Sequence, residues 1–91
     1  MRRKTLRVVN PLGFHARAAA RFVAEASRFE SQVTVVFKDK EMDGKSILGL
    51  LLLAAPFGAS IQVRVEGRDE KEALRALTVL VAKGFGEAAK S

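Results

Sequence analysis

Lys4-Thr5-Leu6-Arg7-Val8-Val9-Asn10-Pro11-Leu12-Gly13-Phe14-His15-Ala16-Arg17 changes its periodicity partway along, and that change sets the fold. From Lys4 to Val9 the residues alternate, with Leu6 and Val8 on one side and Thr5, Arg7 and Val9 on the other. A strand with one buried face reads this way. Asn10-Pro11-Leu12-Gly13 interrupts the alternation as a turn. From Ala16 the apolar residues Ala19, Phe22, Val23 and Ala26 fall at i, i+3, i+4 and i+7, the stripe of an amphipathic helix. Arg17, Arg21, Glu25 and Arg28 line its other side. His15 stands on the seam between strand turn and helix, at the predicted N-cap.

Working outward, Gln32 to Lys38 alternates again, with Val33, Val35 and Phe37 together. Asp39-Lys40 is the expected turn into a short partner strand, Glu41 to Met42, and Asp43-Gly44 is a second break. Ser46 to Ala55 reads as a helix capped by Ser46 and stopped by Pro56 and Gly58. Ser60 to Glu66 points Ile61, Val63 and Val65 inward and Gln62, Arg64 and Glu66 outward. Asp69 with Glu72 three residues later predicts a capping box. The last helix then runs from Glu70 to Lys83 along Ala73, Leu74, Leu77, Leu80 and Val81, with Gly84 as its stop. The order β-α-β-β-α-β-α predicts an α+β open-faced sandwich: a four-stranded, mainly antiparallel sheet with three helices on one face. Residues 1–91 read as a single domain.

Composition narrows the chemistry. The 91 residues carry no cysteine and one histidine, so neither a disulfide framework nor a closed metal site is expected. Ile47 to Phe57 is the longest apolar run, far short of the ~20 residues of a membrane span. Met1-Arg2-Arg3-Lys4 leads into a strand pattern rather than a signal core, which predicts a soluble, cytoplasmic protein without direct membrane insertion. The net charge of +6 is uneven: residues 1–31 hold seven Lys/Arg against Glu25 and Glu30, a balance of +5. Such an excess fits either a plain solvated surface or attraction for acidic partners and phosphate.

His15 is the one side chain of a type that titrates near neutral pH. Gly13 lets the backbone approach closely before it, and a helix start leaves amides free to hold an anion. Arg17 is placed to bond phosphate oxygens in a charge-assisted way. Each feature alone also fits a surface or capping residue; together they suit a phosphoryl acceptor. Gly44-Lys45-Ser46 has the ending of a nucleotide-binding P-loop, but that pattern needs glycine at position 39, where Asp39 stands. The run Ile47 to Leu53 fits either a deeply buried helix or one that keeps Ile47, Leu48 and Leu51 exposed for docking. A nucleic-acid-binding module is the reading from another class; the basic charge permits it, but the sheet offers no Trp or Tyr and turns Phe37 inward.

Gly13-Phe14-His15-Ala16-Arg17-Ala18-Ala19-Ala20 resembles the histidine-containing phosphocarrier (HPr) family of the bacterial sugar phosphotransferase system. Gly44-Lys45-Ser46-Ile47-Leu48-Gly49 is similar to the same family's segment around its second phosphorylation site, so the resemblance spans essentially the whole chain. It implies that His15 is phosphorylated on Nδ1 and that Arg17 steadies the phosphoryl group beside the backbone amides of Ala16, Arg17 and Ala18, and it places Ser46 where some members are phosphorylated by an HPr kinase as a regulatory switch. It places Ile47, Leu48 and Leu51 in the docking surface for enzyme I and enzyme IIA proteins. It implies a monomeric carrier with no cofactor of its own rather than a stand-alone enzyme. The nitrogen-branch regulatory paralogue of the family shares this chemistry and is the nearest alternative. Two positions depart from the common pattern: Ala18 stands where many members have proline, and Leu12 where many have a polar residue.

Overall fold

The computed structural model describes residues 1–87. Its elements are β1 (Arg2–Arg7), α1 (Ala16–Ala26), β2 (Gln32–Phe37), β3 (Lys40–Asp43), α2 (Ile47–Leu53), β4 (Ser60–Glu66) and α3 (Glu70–Ala82), followed by a 3-10 turn at Gly84–Gly86. The strands form one sheet in the order β1-β4-β2-β3, and all three pairings are antiparallel. Helix α3 packs on β1 and β4, α2 on β2 and β3, and α1 touches both helices. Leu6, Val8, Val33, Val35, Ile61, Val63 and Val65 form the sheet side of the core, and Phe22, Leu50, Leu53, Leu77, Val81 and Phe85 close it from the helices. The open-faced α+β sandwich is therefore the observed architecture.

Several local boundaries differ from the sequence expectation, each for a physical reason. Strand β1 begins at Arg2 rather than Lys4, because β4 is long enough to pair Arg2 with Val65 and Lys4 with Val63. Arg2 and Lys4 thus occupy core-side positions of an edge strand, where long stems lie on apolar surface and the charges stay wet. Val8 and Val9 lie beyond the regular register, although Val8 still exchanges bonds with Ala59 O (2.8 Å) and Gly58 N (2.8 Å).

The hairpin turn is Lys38-Asp39, not Asp39-Lys40: Phe37 pairs with Lys40, and Lys38 takes the positive φ of 56°. Strand β3 consequently extends to Lys40–Asp43. Helix α2 stops at Leu53, before Pro56, because Ala54 turns left-handed (φ 54°) and bonds Leu50 O. That reversal aims the Ala55 carbonyl at Phe14 N (3.0 Å).

The expected Asp69–Glu72 capping box does not form. Asp69 is the N-cap residue but makes no capping bond. Its carboxylate instead accepts the amides of Glu30 (2.9 Å) and Ser31 (3.0 Å) and the Ser31 hydroxyl. Glu70 is the residue that reaches back, to Gly67 N (3.1 Å). At Gly67 any Cβ would lie 2.5 Å from Ser31 Oγ, so the close approach of these two turns needs glycine.

Candidate functional site

The turn before α1 is a small hydrogen-bonded frame. Gly13 N donates to Asn10 O (3.1 Å), and His15 N donates to Gly13 O (2.9 Å). Gly13 has φ +65°, and a Cβ there would sit 2.5 Å from Ala55 O, so only glycine fits between this turn and the end of α2. Phe14 is buried against Phe22 (5.6 Å between ring centroids) and Phe85 (5.1 Å). With Phe14 locked inward, His15 is left half-buried at the surface.

His15 is the N-cap residue of α1, in extended conformation and without a side-chain capping bond. Its carbonyl takes the first helical bond, from Ala19 N (2.9 Å). The amides of Ala16, Arg17 and Ala18 precede any carbonyl able to receive them in the helix, which is the usual basis of an anion site. Arg17 is exposed one position into the helix. Arg17 and Arg21 line a shallow pocket of about 350 Å³ together with Pro11, Leu12, Gly86 and Glu87.

Two features here have no counterpart in the sequence reading. Arg21 donates to Phe85 O (2.5 Å), tying α1 to the turn after α3. Glu87 reaches the His15 ring, its Oε2 meeting Nε2. Burial pushes the Glu87 carboxyl up, but hydrogen bonds from His15 and Asn10, and the charges of His15 and Arg17, outweigh it and hold the group below its ordinary range. The contact spans 72 positions, so no local pattern announces it. The only sequence hint is the pair Gly84 and Gly86, which permits the tight turn around Phe85 (φ +59°).

Ser46 caps α2, its Oγ accepting Gly49 N (2.9 Å). Of the apolar run only Leu50 and Leu53 are buried; Ile47, Leu48, Leu51 and Leu52 are exposed, Leu48 by 67%. A helix buried on most sides is thus not what forms. Leu12 and Phe57 are also exposed, and both flank the contact between the His15 turn and the end of α2. Phe37 packs against the core, so it leaves the open sheet face without its ring. Among the described residues no three His, Asp or Glu side chains converge as a metal site, and no helix is long and apolar enough to cross a membrane.

The chain matches the family model described as "PTS HPr component phosphorylation site" over residues 2–83. It is 46% identical over 87 residues to the phosphocarrier protein HPr of Neisseria meningitidis serogroup A, covering 96% of this chain and 98% of that protein. The HPr of Xylella fastidiosa strain Temecula1 is 46% identical over 82 residues, with 90% and 92% covered. A crystal structure of HPr from Thermoanaerobacter tengcongensis superposes with a TM-score of 0.92 at 41% identity, covering 96% of this chain and 98% of that one. A structure described as an HPr dimer from the same organism gives 0.77 at 41% identity, over 96% of this chain and all of that one. A fold, a histidine-bearing helix start and relatives that agree along nearly their whole length lead to one conclusion: the chain belongs to the HPr family, the phosphoryl carriers of the phosphotransferase system.

Proposed function

We propose that Nδ1 of His15 takes a phosphoryl group from enzyme I and hands it to enzyme IIA proteins. The observation that carries this reading is the engagement of Nε2 by Glu87. A proton on Nε2 donated to a carboxylate leaves the lone pair on Nδ1, the nucleophilic tautomer. The bond from phosphorus to the donor's histidine breaks as the bond to His15 Nδ1 forms in line. Glu87 offsets the positive charge the ring then carries. Arg17 and the amides of Ala16, Arg17 and Ala18 hold the equatorial oxygens, so positioning and electrostatics supply the catalysis. The chain brings no cofactor, and its partners complete the reacting centre.

Ile47, Leu48 and Leu51, with Leu12 beside the site, form the docking surface in this reading. A kinase-added phosphate on Ser46 would set a dianion among these leucines and oppose docking. A relay driven by phosphoenolpyruvate belongs in the cytoplasm, with the monomer as working unit.

Incubation with phosphoenolpyruvate and enzyme I, followed by 31P NMR, tests the core of this. An acid-labile, base-stable phosphohistidine signal is expected, absent from His15→Ala. Signal in His15→Ala, or none in the native chain, would overturn it. Transfer rates to sugar-branch and nitrogen-branch acceptors, measured side by side, separate the two family roles.

A further inference from the structure

Asn10 is 1% exposed, one of only two buried polar side chains among the described residues. Its Nδ2 donates to Gly13 O at 2.7 Å, while its own carbonyl accepts Gly13 N at 3.1 Å. One residue therefore holds both polar groups of Gly13, two positions before the phosphoryl acceptor. The Gly13 carbonyl also takes His15 N, so its direction sets where the His15 backbone enters α1. On its other side Asn10 packs beneath Gly84, whose Cβ would lie 3.4 Å from that of Asn10, in the turn that carries Glu87.

We propose that Asn10 is a positioning residue for His15, orienting the ring through the Gly13 carbonyl on one side and, on the other, through its packing against the Gly84 turn that carries Glu87. This rests on the phosphocarrier reading of His15. Asn10 Oδ1 has no partner among the described residues, so the hydrogen-bonding value of the side chain lies in Nδ2. Nδ2 makes its hydrogen bond to Gly13 O, and the Asn10 side chain lies close enough to Glu87 to help hold that carboxyl below its ordinary range. The bond to Gly13 O holds the ring from its backbone, and packing under Gly84 supports the turn whose Glu87 meets its Nε2 edge.

The test uses Asn10→Leu, close in size and apolar, and Asn10→Asp, equal in size without the donor. Both are expected to fold. Both are expected to take phosphoryl from enzyme I with kcat about tenfold lower and KM unchanged, because misplacing a reacting group costs rate without weakening docking. Nitrogen NMR of the unphosphorylated His15 ring should show the Nε2–H tautomer in the native chain and a mixture of tautomers in both variants. Native kcat and a native tautomer in a folded Asn10→Leu would overturn the proposal. So would failure of both variants to fold, which would make Asn10 a folding residue. In the native chain the Asn10 side-chain amide should exchange slowly with solvent; fast exchange would overturn it as well. If the native chain accepts no phosphoryl group at all, the phosphocarrier reading fails, and the ring tautomers alone decide whether Asn10 positions His15.

Discussion

Glu87 puts a negative charge on the far side of the His15 ring from the expected nucleophilic atom. Glu87→Gln keeps the shape and removes the charge, so the phosphorylated ring loses its counter-ion. Phosphorylation by enzyme I should slow by roughly three- to tenfold, a cost of about 1 kcal/mol in the barrier, read from single-turnover traces. Gly13 faces a harder constraint. Gly13→Ala places a Cβ against the Ala55 and Pro56 backbone at a positive φ, and neither neighbour is a flexible side chain. A loss of about 1–3 kcal/mol is expected from the strained conformation alone, measured by urea unfolding, with phosphorylation slowed further than stability explains. Gly13, His15 and Arg17 were legible as a group because the period change exposes them. Arg21 and Glu87 were not, since their contacts are made only once α3 has returned to the start of α1; Asn10 read only as a turn residue, because its bond to Gly13 O depends on the geometry of that turn.

At the scale of elements, α2 buries part of its apolar run and exposes the rest, the exposed part being the proposed docking surface. Leu50 is buried and Leu48 exposed. Leu50→Ala should cost about 2–5 kcal/mol, whereas Leu48→Ala should stay within about 0.5 kcal/mol and weaken enzyme I binding instead. Thermal melts and a binding titration on the same pair of variants check both halves. Ser46→Ala removes the cap and should cost about 1 kcal/mol. Ser46→Asp keeps a capping oxygen yet places a charge in the proposed docking surface, so affinity should fall while stability holds. The run Ile47 to Leu53 could not be divided by reading alone, because seven residues with six apolar side chains leave no polar stripe to show which way the helix faces. The capping expectation at Asp69 failed for a related reason. Spacing showed a carboxylate at a helix start, but the amides of Glu30 and Ser31, brought alongside by the sheet, compete for it.

At the scale of the molecule, three carboxylates among the described residues are held below their ordinary range. At Asp69 the Ser31 hydroxyl and the Glu30 amide do this; at Glu70, the Gly67 amide together with the N-terminal amine and Arg2; at Glu87, bonds from His15 and Asn10 acting against burial. In that range the unfolded chain binds more protons than the folded one, so stability rises with pH there. The stabilisation is complete above the ordinary carboxylate pKa and is lost as pH falls through the depressed values. Urea midpoints should therefore be level near neutrality and decline below about pH 4–5, the ordinary carboxylate range. Replacing both Asp69 and Glu70 by their amides should flatten the decline. The layered plan of sheet and helices was legible because each strand's inward set and each helix's stripe point to one core. The strand ends were not, because pairing length depends on the partner strand, as Arg2 opposite Val65 shows.

The turn at Gly84–Gly86 has a practical side. Helix α3 runs from Glu70, which bridges to the Met1 amine, to Ala82, and its 13 residues span about 20 Å at 1.5 Å each. Glu87, just past the far end, rests on the His15 ring. A fluorophore, affinity handle or surface linker attached near Lys71 would ride on the remote end of that helix and report on the molecule without touching the proposed reacting corner. The same attachment at Lys83 would press on the turn that holds Glu87 and alter the turnover it was meant to observe.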